Sequence, residues 1–343
     1  MTSFTTAAVD RKDVRFHAPD FNNLRSQAGL TTSAMHELKK WTVSEPYLKI
    51  DCGLGEAPFW ERTSHQLRFV DIVKQKLHVI DLNKGPSSLK SFDLDVPVGT
   101  TADIEGTDDE IIVGAKHGYA LLNRTTGKHE YLNRLWDETD GPGKEERMRL
   151  NDGAVDTSGR YWAGAMNDPK VHEPTNEGVL FRLDPDMKLH RMIERVTIPN
   201  GMGWSADDKR MFFTDTPTKN IFQFDYDAAT GDISNRRVYF HCEDEEGAPD
   251  GFAMDVEGCI WTSLYGAGKV LRVSPEGKVT GEISLPTRCC SCPGFAGEDL
   301  FITSAVEEEP DKYPESAKYG GSLFRVHVGV AGSPIHKFKR VQT

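Results

Sequence analysis

A short phrase returns six times along the chain, and its spacing limits the folds open to it. Each copy is a polar turn followed by an apolar run: Leu67-Arg-Phe-Val-Asp-Ile, Ile111-Ile-Val-Gly-Ala-Lys, Tyr161-Trp-Ala-Gly-Ala-Met, Met211-Phe-Phe-Thr-Asp-Thr, Ile260-Trp-Thr-Ser-Leu-Tyr and Leu300-Phe-Ile-Thr-Ser-Ala. The starts are 44, 50, 50, 49 and 40 residues apart. A period of roughly 40–50 residues made of short strands and turns is the signature of a β-propeller. Six copies predict six blades. A propeller gathers the inner strands of all its blades around one axis, so residues distant in sequence can meet in one site.

The turns between copies follow one grammar. Asp156-Thr-Ser-Gly-Arg, Ser205-Ala-Asp-Asp-Lys-Arg and Asp255-Val-Glu-Gly-Cys are tight turns joining antiparallel strands. Third strands follow, such as Val179-Leu-Phe-Arg-Leu-Asp, Ile221-Phe-Gln-Phe-Asp-Tyr-Asp and Val270-Leu-Arg-Val-Ser. The period-2 alternation of Ile221-Phe-Gln-Phe-Asp-Tyr marks a half-buried strand. The expected architecture is all-β: a six-bladed β-propeller over residues 46–343, with a short N-terminal extension, 1–45, that carries no strand repeat. Within the extension, the segment from Thr31 to Trp41 reads as a short helix capped by Thr32 or Ser33, and the whole reads as a peripheral arm or part of a lid. Tyr47-Leu-Lys-Ile-Asp-Cys is expected to close the ring by completing the last blade, so that no long sheet edge stays free. Two acidic stretches, Trp136–Glu146 and Val306–Glu315, interrupt the grammar and read as long exposed loops of the kind that set specificity.

Charge narrows the partners. Asp plus Glu number 53 against 41 Lys plus Arg, a net charge of −12. That balance disfavours nucleic acid and anionic membrane surfaces and suits a chain that holds a cation. No apolar run approaches the roughly 18 residues of a membrane span, and the N-terminus shows no apolar signal core. Cysteines are sparse, six in 343 residues. Cys289, Cys290 and Cys292 read as small buried hydrophobes, since no second Cys or His pair sits at ligand spacing. These features point to the cytosol.

Just ahead of several central strands lies a short polar signature: Gly55-Glu56-Ala-Pro, Arg149-Leu-Asn151-Asp152-Gly, Pro199-Asn200-Gly and Pro249-Asp250-Gly. Glu56, Asn151, Asn200 and Asp250 are separated by 95, 49 and 50 residues. The blade period therefore sets them at equivalent positions near the axis. Two carboxylates and two amide oxygens there form an oxygen-rich cage for a hard divalent cation. Asn-Gly and Asp-Gly are also ordinary turn dipeptides. Glu56 is harder to read that way, because a buried carboxylate is costly without a partner.

Gly55-Glu-Ala-Pro-Phe-Trp, Asn151-Asp-Gly-Ala-Val-Asp-Thr-Ser-Gly-Arg-Tyr-Trp-Ala-Gly, Pro199-Asn-Gly-Met-Gly-Trp-Ser, the run from Tyr226 to Arg237 and Pro249-Asp-Gly-Phe-Ala-Met-Asp resemble the SMP-30/gluconolactonase (regucalcin-like) family. The resemblance spans about residues 50–330, with several long motifs in the same order. It implies a six-bladed propeller that hydrolyses sugar lactones with one divalent cation (Ca²⁺, Mg²⁺, Mn²⁺ or Zn²⁺). On that likeness Glu56, Asn200 and Asp250 bind the cation, and Asn151 ligates it directly or through water. Arg149 and Asn151 contact the substrate, and Asp250 doubles as general base or positions the attacking water. One departure matters: where some family members place a substrate-contacting Glu, this chain reads Met166-Asn167-Asp168-Pro169.

The chemistry is coherent. A lactone carbonyl oxygen gains negative charge as water adds, a cation beside it stabilises that charge, and a carboxylate takes the proton. Arg149 could grip hydroxyls or share the oxyanion charge. Asp215 reads either as a group supporting the ligands or as a turn cap. The alternative to a lactonase is a metal-binding propeller diverted to ligand binding, or to another reaction on a lactone-like metabolite. A serine hydrolase is disfavoured by the lack of a Gly-x-Ser-x-Gly elbow, and a His-Glu-x-x-His metalloprotease by its missing motif.

Overall fold

A computed structural model describes residues 38–341. The chain forms a six-bladed β-propeller. Each blade has three or four antiparallel strands that pair in sequence order, and blade 5 carries one further, parallel strand at its outer edge. Their inner strands are Gly55–Glu61, Val98–Asp103, Met148–Val155, Pro199–Trp204, Ala248–Met254 and Cys290–Ala296, in blades 1 to 6. All six repeated phrases fall on the second strand: Gln66–Asp71, Glu110–Ala115, Tyr161–Asn167, Arg210–Asp215, Ile260–Tyr265 and Asp299–Ser304. Second strands are buried on both faces, which is why they read as continuous apolar runs rather than alternating ones.

Apolar side chains from neighbouring sheets fill the wedges between blades. Val70, Leu77, Val98 and Val113 join blades 1 and 2, Trp162, Leu180, Met211 and Phe213 join blades 3 and 4, and Trp261, Val270, Phe295 and Leu300 join blades 5 and 6. Each such large side chain contributes about 1.5–3 kcal/mol when fully buried.

The hairpin turns are held by buried aspartates. In blade 3, Asp156 accepts bonds from the amides of Ser158 and Arg160, from Trp162 Nε1 (3.0 Å), from Tyr226 Oη (2.7 Å) and from Arg160 Nη1 (3.3 Å). In blade 5, Asp255 repeats the device with the amides of Glu257 and Cys259, Trp261 Nε1 (2.9 Å) and Arg272 Nε (2.9 Å). The sequence behind both is Asp, Gly three residues later and Trp six residues later. Gly159 and Gly258 sit at φ +84° and +79°, a conformation that glycine adopts without steric cost.

The ring closes as the sequence suggests. Leu48 and Leu323 exchange backbone bonds of 3.0 Å, and the Cys52 amide donates to Gly321. The segment from Tyr47 to Cys52 thus flanks blade 6, whose own strands are Cys290–Ala296, Asp299–Ser304 and Phe324–His327. The helix expected at Thr31–Trp41 lies mostly outside the described residues, and its last residues are not helical. Lys39–Thr42 is a strand, paired in parallel with Val279–Ser284 on the outer edge of blade 5. That edge offers unpaired backbone groups, and Trp41 packs on Trp261 at a ring separation of 5.3 Å, so tertiary pairing overrides local helix propensity.

Inner strands begin at one end of the propeller, the near end, and finish at the far end. The C-terminal segment crosses the far end: Gly332 bridges to Asp255 and Phe338 to Ile104, just past the inner strands of blades 5 and 2. Phe338 is completely buried. Ser333, Ile335 and His336 of this segment line a far-end axial cavity of about 380 Å³ together with Met202, Trp204 and Phe252. Among the described residues no helix is long and apolar enough to cross a membrane.

Candidate functional site at the near end of the axis

Strand register places six residues at one level of the ring. Gly55 opposes Asp71, Pro199 opposes Asp215 and Cys290 opposes Ser304, each at the first pair of its blade. One residue further in are Glu56, Gly99, Asn151, Asn200, Asp250 and Ser291, in blades 1 to 6. All four polar residues singled out in the sequence thus occupy one ring, and all are buried.

Every inner strand carries a bulge or register shift at this level. A bulge lets two consecutive residues turn toward one side. This accounts for Asp152, next to Asn151, which also reaches the axis. In the sequence Asp152 is one residue of the Arg149-Leu-Asn-Asp-Gly motif, and the blade period marks Asn151 rather than Asp152. The glycines in these motifs have another purpose. Neither Gly201 nor Gly251 has a positive φ. A Cβ on Gly201 would lie 2.4 Å from the Phe252 ring, and one on Gly251 would lie 2.5 Å from Cys292 Sγ. Asn200-Gly and Asp250-Gly are therefore not turns but close approaches of inner strands around the axis. Blade 2 contributes no ligand for the same reason: a Cβ on Gly99 would sit 2.1 Å from the Asn151 carbonyl oxygen.

The amide and guanidinium groups form a chain. Arg149 Nη1 donates to Asn151 Oδ1 (2.6 Å) and to the Leu150 carbonyl (3.2 Å). Asn151 Nδ2 donates to the Pro199 carbonyl (2.8 Å) and to Asn200 Oδ1 (3.2 Å). Asn200 Nδ2 donates to Thr216 Oγ1 (2.8 Å), so its Oδ1 faces Asn151. Asp215 accepts from the amides of Thr197 and Ile198 and clamps the segment leading into Asn200. Asp71 does the same for Gly53 and Leu54 ahead of Glu56. Of the two readings of Asp215, the contacts are those of the cap.

The carboxylates are less well supplied. Among the described residues Glu56 accepts only from the neighbouring Ala57 amide (3.2 Å), where Ala57 itself is held at φ +50°. Burial and then the charges of Asp250 and Asp152 push the Glu56 carboxyl well above its usual range. Asp250 is pushed up by burial and by Asp152, with the Gly251 amide pulling the other way. Burial raises Asp152 to about 6. Cys292, also buried, faces the same three carboxylates, and burial followed by their charge holds its thiol high. Arg149 is buried beside this group, and burial lowers its own pKa against the pull of Asp168 and Glu56. Three buried carboxylates facing one buried arginine leave excess negative charge in a low-dielectric setting.

The two residues at the family departure are engaged elsewhere. Asn167 is fully buried. Its Nδ2 donates to Glu177 (2.5 Å) and its Oδ1 accepts from Thr175 (2.8 Å), which folds the loop after the second strand of blade 3. Asp168 pairs with Lys116 (2.6 Å) and lies within the field of Arg149. The acidic loops both open at the near end. Within them Asp140 pairs with Arg191 (2.5 Å) and Glu307 with Arg288 (3.2 Å), and most of their other acidic residues are exposed.

Comparison with known proteins decides the family. The SMP-30/Gluconolactonase/LRE-like region matches residues 54–306, most of the chain. The chain belongs to the SMP-30/gluconolactonase family. Regucalcin of Bos taurus is 34% identical over 307 residues, covering 86% of this chain and 97% of that one. A putative sugar lactone lactonase of Bacillus subtilis is 30% identical over 287 residues, covering 81% and 92%. Among solved structures, a calcium-binding regucalcin from Agrobacterium tumefaciens superposes with a TM-score of 0.78 at 24% identity, covering 89% of this chain and all of that one. At that identity the last match speaks for the fold alone.

Proposed function

We propose that this SMP-30/gluconolactonase-family chain is a divalent-metal-dependent lactone hydrolase working at the near end of its axis. The observation that carries the reading is the cluster of Glu56, Asp152 and Asp250, buried together with Asn151 and Asn200 and with Arg149 as the nearby cation. Such a set is oxygen-only and carries excess negative charge, which fits a hard cation such as Ca²⁺, Mg²⁺ or Mn²⁺, and Zn²⁺ as well. Glu56, Asn200 and Asp250 would hold the ion, with Asn151 at its margin. A bound cation would act as a Lewis acid toward the substrate carbonyl and lower the pKa of the three acids.

The remaining work falls to the chain's own groups. Asp250 takes a proton from the attacking water as the oxygen–carbon bond forms. It returns that proton to the ring oxygen as the acyl–oxygen bond breaks, which leaves a hydroxy acid. Arg149, held by Asn151, offers its remaining N–H donors to substrate oxygens. The partner is a small-molecule lactone. Six free, buried cysteines suit a reducing compartment such as the cytosol.

A second reading, a pocket diverted to binding or to another lactone-like metabolite, draws on Asn167, whose side chain is committed to the Thr175–Glu177 loop. A panel of sugar and aliphatic lactones assayed with a metal series separates the two. Metal-restored turnover of a lactone supports the hydrolase. Tight ligand binding without turnover under every metal favours diversion.

A further inference from the structure

Away from the axis, blade 1 brings together a thiol, an imidazole and a carboxylate. Cys52 lies in the segment entering the blade, Asp71 ends its second strand and His78 lies in its third strand, Lys76–Asp81. One ligand atom from each lies within 4.8 Å of the other two. Their exposures are 1%, 1% and 3%. The His78 ring is fixed by Nδ1, which is 2.8 Å from Ser91 Oγ. Its Nε2 is buried with no hydrogen-bond partner among the described residues. An unmet buried ring nitrogen costs about 1–3 kcal/mol unless something fills the need.

Asp71 has matching capacity. Its Oδ1 accepts from the amides of Leu54 (3.2 Å) and Lys74 (2.9 Å); among the described residues Oδ2 accepts one backbone amide, Gly53 (2.8 Å), and the Cys52 thiol is directed at the same carboxylate. A carboxylate oxygen has two in-plane lone pairs, so Oδ2 keeps one free. In the tautomer whose Nδ1 donates to Ser91, Nε2 is left as a lone-pair donor, the arrangement found for metal-bound imidazoles whose other nitrogen is anchored.

We propose that Cys52, Asp71 and His78 form a second metal site, of the zinc class, independent of the axial carboxylates. Thiolate, imidazole and carboxylate together select Zn²⁺ over the hard cations suited to an oxygen-only cage. Binding displaces the Cys52 thiol proton to solvent, and the ion takes its place. The site ties the loop at Cys52–Leu54 to the second and third strands of blade 1. Glu56 follows that loop directly, so the ion has a positioning role and touches no reacting atom.

Cobalt reports on such a site, because thiolate ligation gives a charge-transfer absorption that oxygen ligands do not. Chelator-stripped full-length protein titrated with Co²⁺ should develop that absorption and saturate with one thiolate-bound ion per chain. Cys52→Ala and His78→Gln should abolish it. Glu56→Gln and Cys292→Ala should keep it, which separates this site from the axial one. Zinc should also raise the melting temperature of Glu56→Gln. No thiolate–cobalt absorption in folded wild-type protein at saturating metal would overturn the proposal. So would an absorption that survives in Cys52→Ala or His78→Gln, or a Glu56→Gln melting temperature that zinc leaves unchanged.

Discussion

Two sets of buried acids in this propeller differ in their surroundings. Asp156 and Asp255, in the hairpin turns, are fully buried, and each accepts bonds from backbone amides, an indole and an arginine. Glu56 and Asp250, on the axis, are nearly as buried but have little besides the amides of Ala57 and Gly251. The same residue type at similar depth is satisfied in one place and left under-supplied in the other. Burial without partners is costly, and the proposed cation would offset that cost for the second set. The first set holds the blades, and the second is available for chemistry.

The contrast is tested first by its largest expected effect. Asp156→Ala leaves Trp162 Nε1 without its acceptor in a dry interior and takes the carboxylate away from Tyr226 Oη and Arg160. Breaking a buried, paired charge network costs about 3–5 kcal/mol. Denaturant unfolding should show a loss of that size, while turnover per folded molecule stays near wild type. A loss under about 1 kcal/mol would mean that the turn carboxylate holds little after all.

Asp250→Asn should behave in the opposite way. It keeps shape and one oxygen but cannot accept a proton, so kcat should fall by about 10²-fold or more, measured with metal occupancy confirmed. Stability should hold or rise, since a repelling charge leaves the cluster. Near wild-type kcat would remove Asp250 as the base. Glu56→Gln should instead act through cation affinity and be partly rescued by excess metal.

The third test uses pH. Asp152 titrates near 6 in the folded state and near 4 in the unfolded chain. Between those values the folded state binds more protons, so metal-free protein should lose stability as pH rises through this window, and Glu56 and Asp250, also raised, carry the loss further. The Asp152 share is on the order of 3 kcal/mol. It should vanish in Asp152→Asn and shrink with saturating cation. A cation at a hundredfold excess over its Kd should itself add about 2.7 kcal/mol at neutral pH. Identical melting with and without divalent ions would leave the axial acids without their proposed partner.

The blade count was legible because second strands, buried on both faces, are apolar at a constant period. Glu56, Asn151, Asn200 and Asp250 were legible because the period put them in phase. Asp152 was not, since a bulge breaks the alternation that a reader of sequence relies on. The meaning of Gly201 and Gly251 was hidden too: turn glycine and close-approach glycine look alike until the neighbouring strand is seen. The strand at Lys39–Thr42 was missed because its partner, Val279–Ser284, lies some 240 residues away, and nothing local in Lys-Lys-Trp-Thr announces it. The bridge of Phe338 to Ile104 is likewise a long-range pairing.

The smallest expected effect concerns Arg149, which sits between the two sets. It is buried like the turn arginine Arg160, yet Nη1 is bound to Asn151 Oδ1 and the Leu150 carbonyl, whereas Arg160 is bridged to Asp156, Tyr226 and two carbonyls. If Arg149 grips the ground-state substrate, Arg149→Ala removes binding that substrate and transition state share. KM should then rise about tenfold, worth about 1.4 kcal/mol, with kcat little changed. Arg149→Lys should recover part of the loss, because a point charge replaces some of the attraction but not the planar set of donors. Equal falls in kcat and kcat/KM would instead show that Arg149 meets charge appearing only in the transition state. Arg149 would then belong with Asp250 in the chemistry, and the division between holding and reacting groups would pass between Arg149 and Asn151.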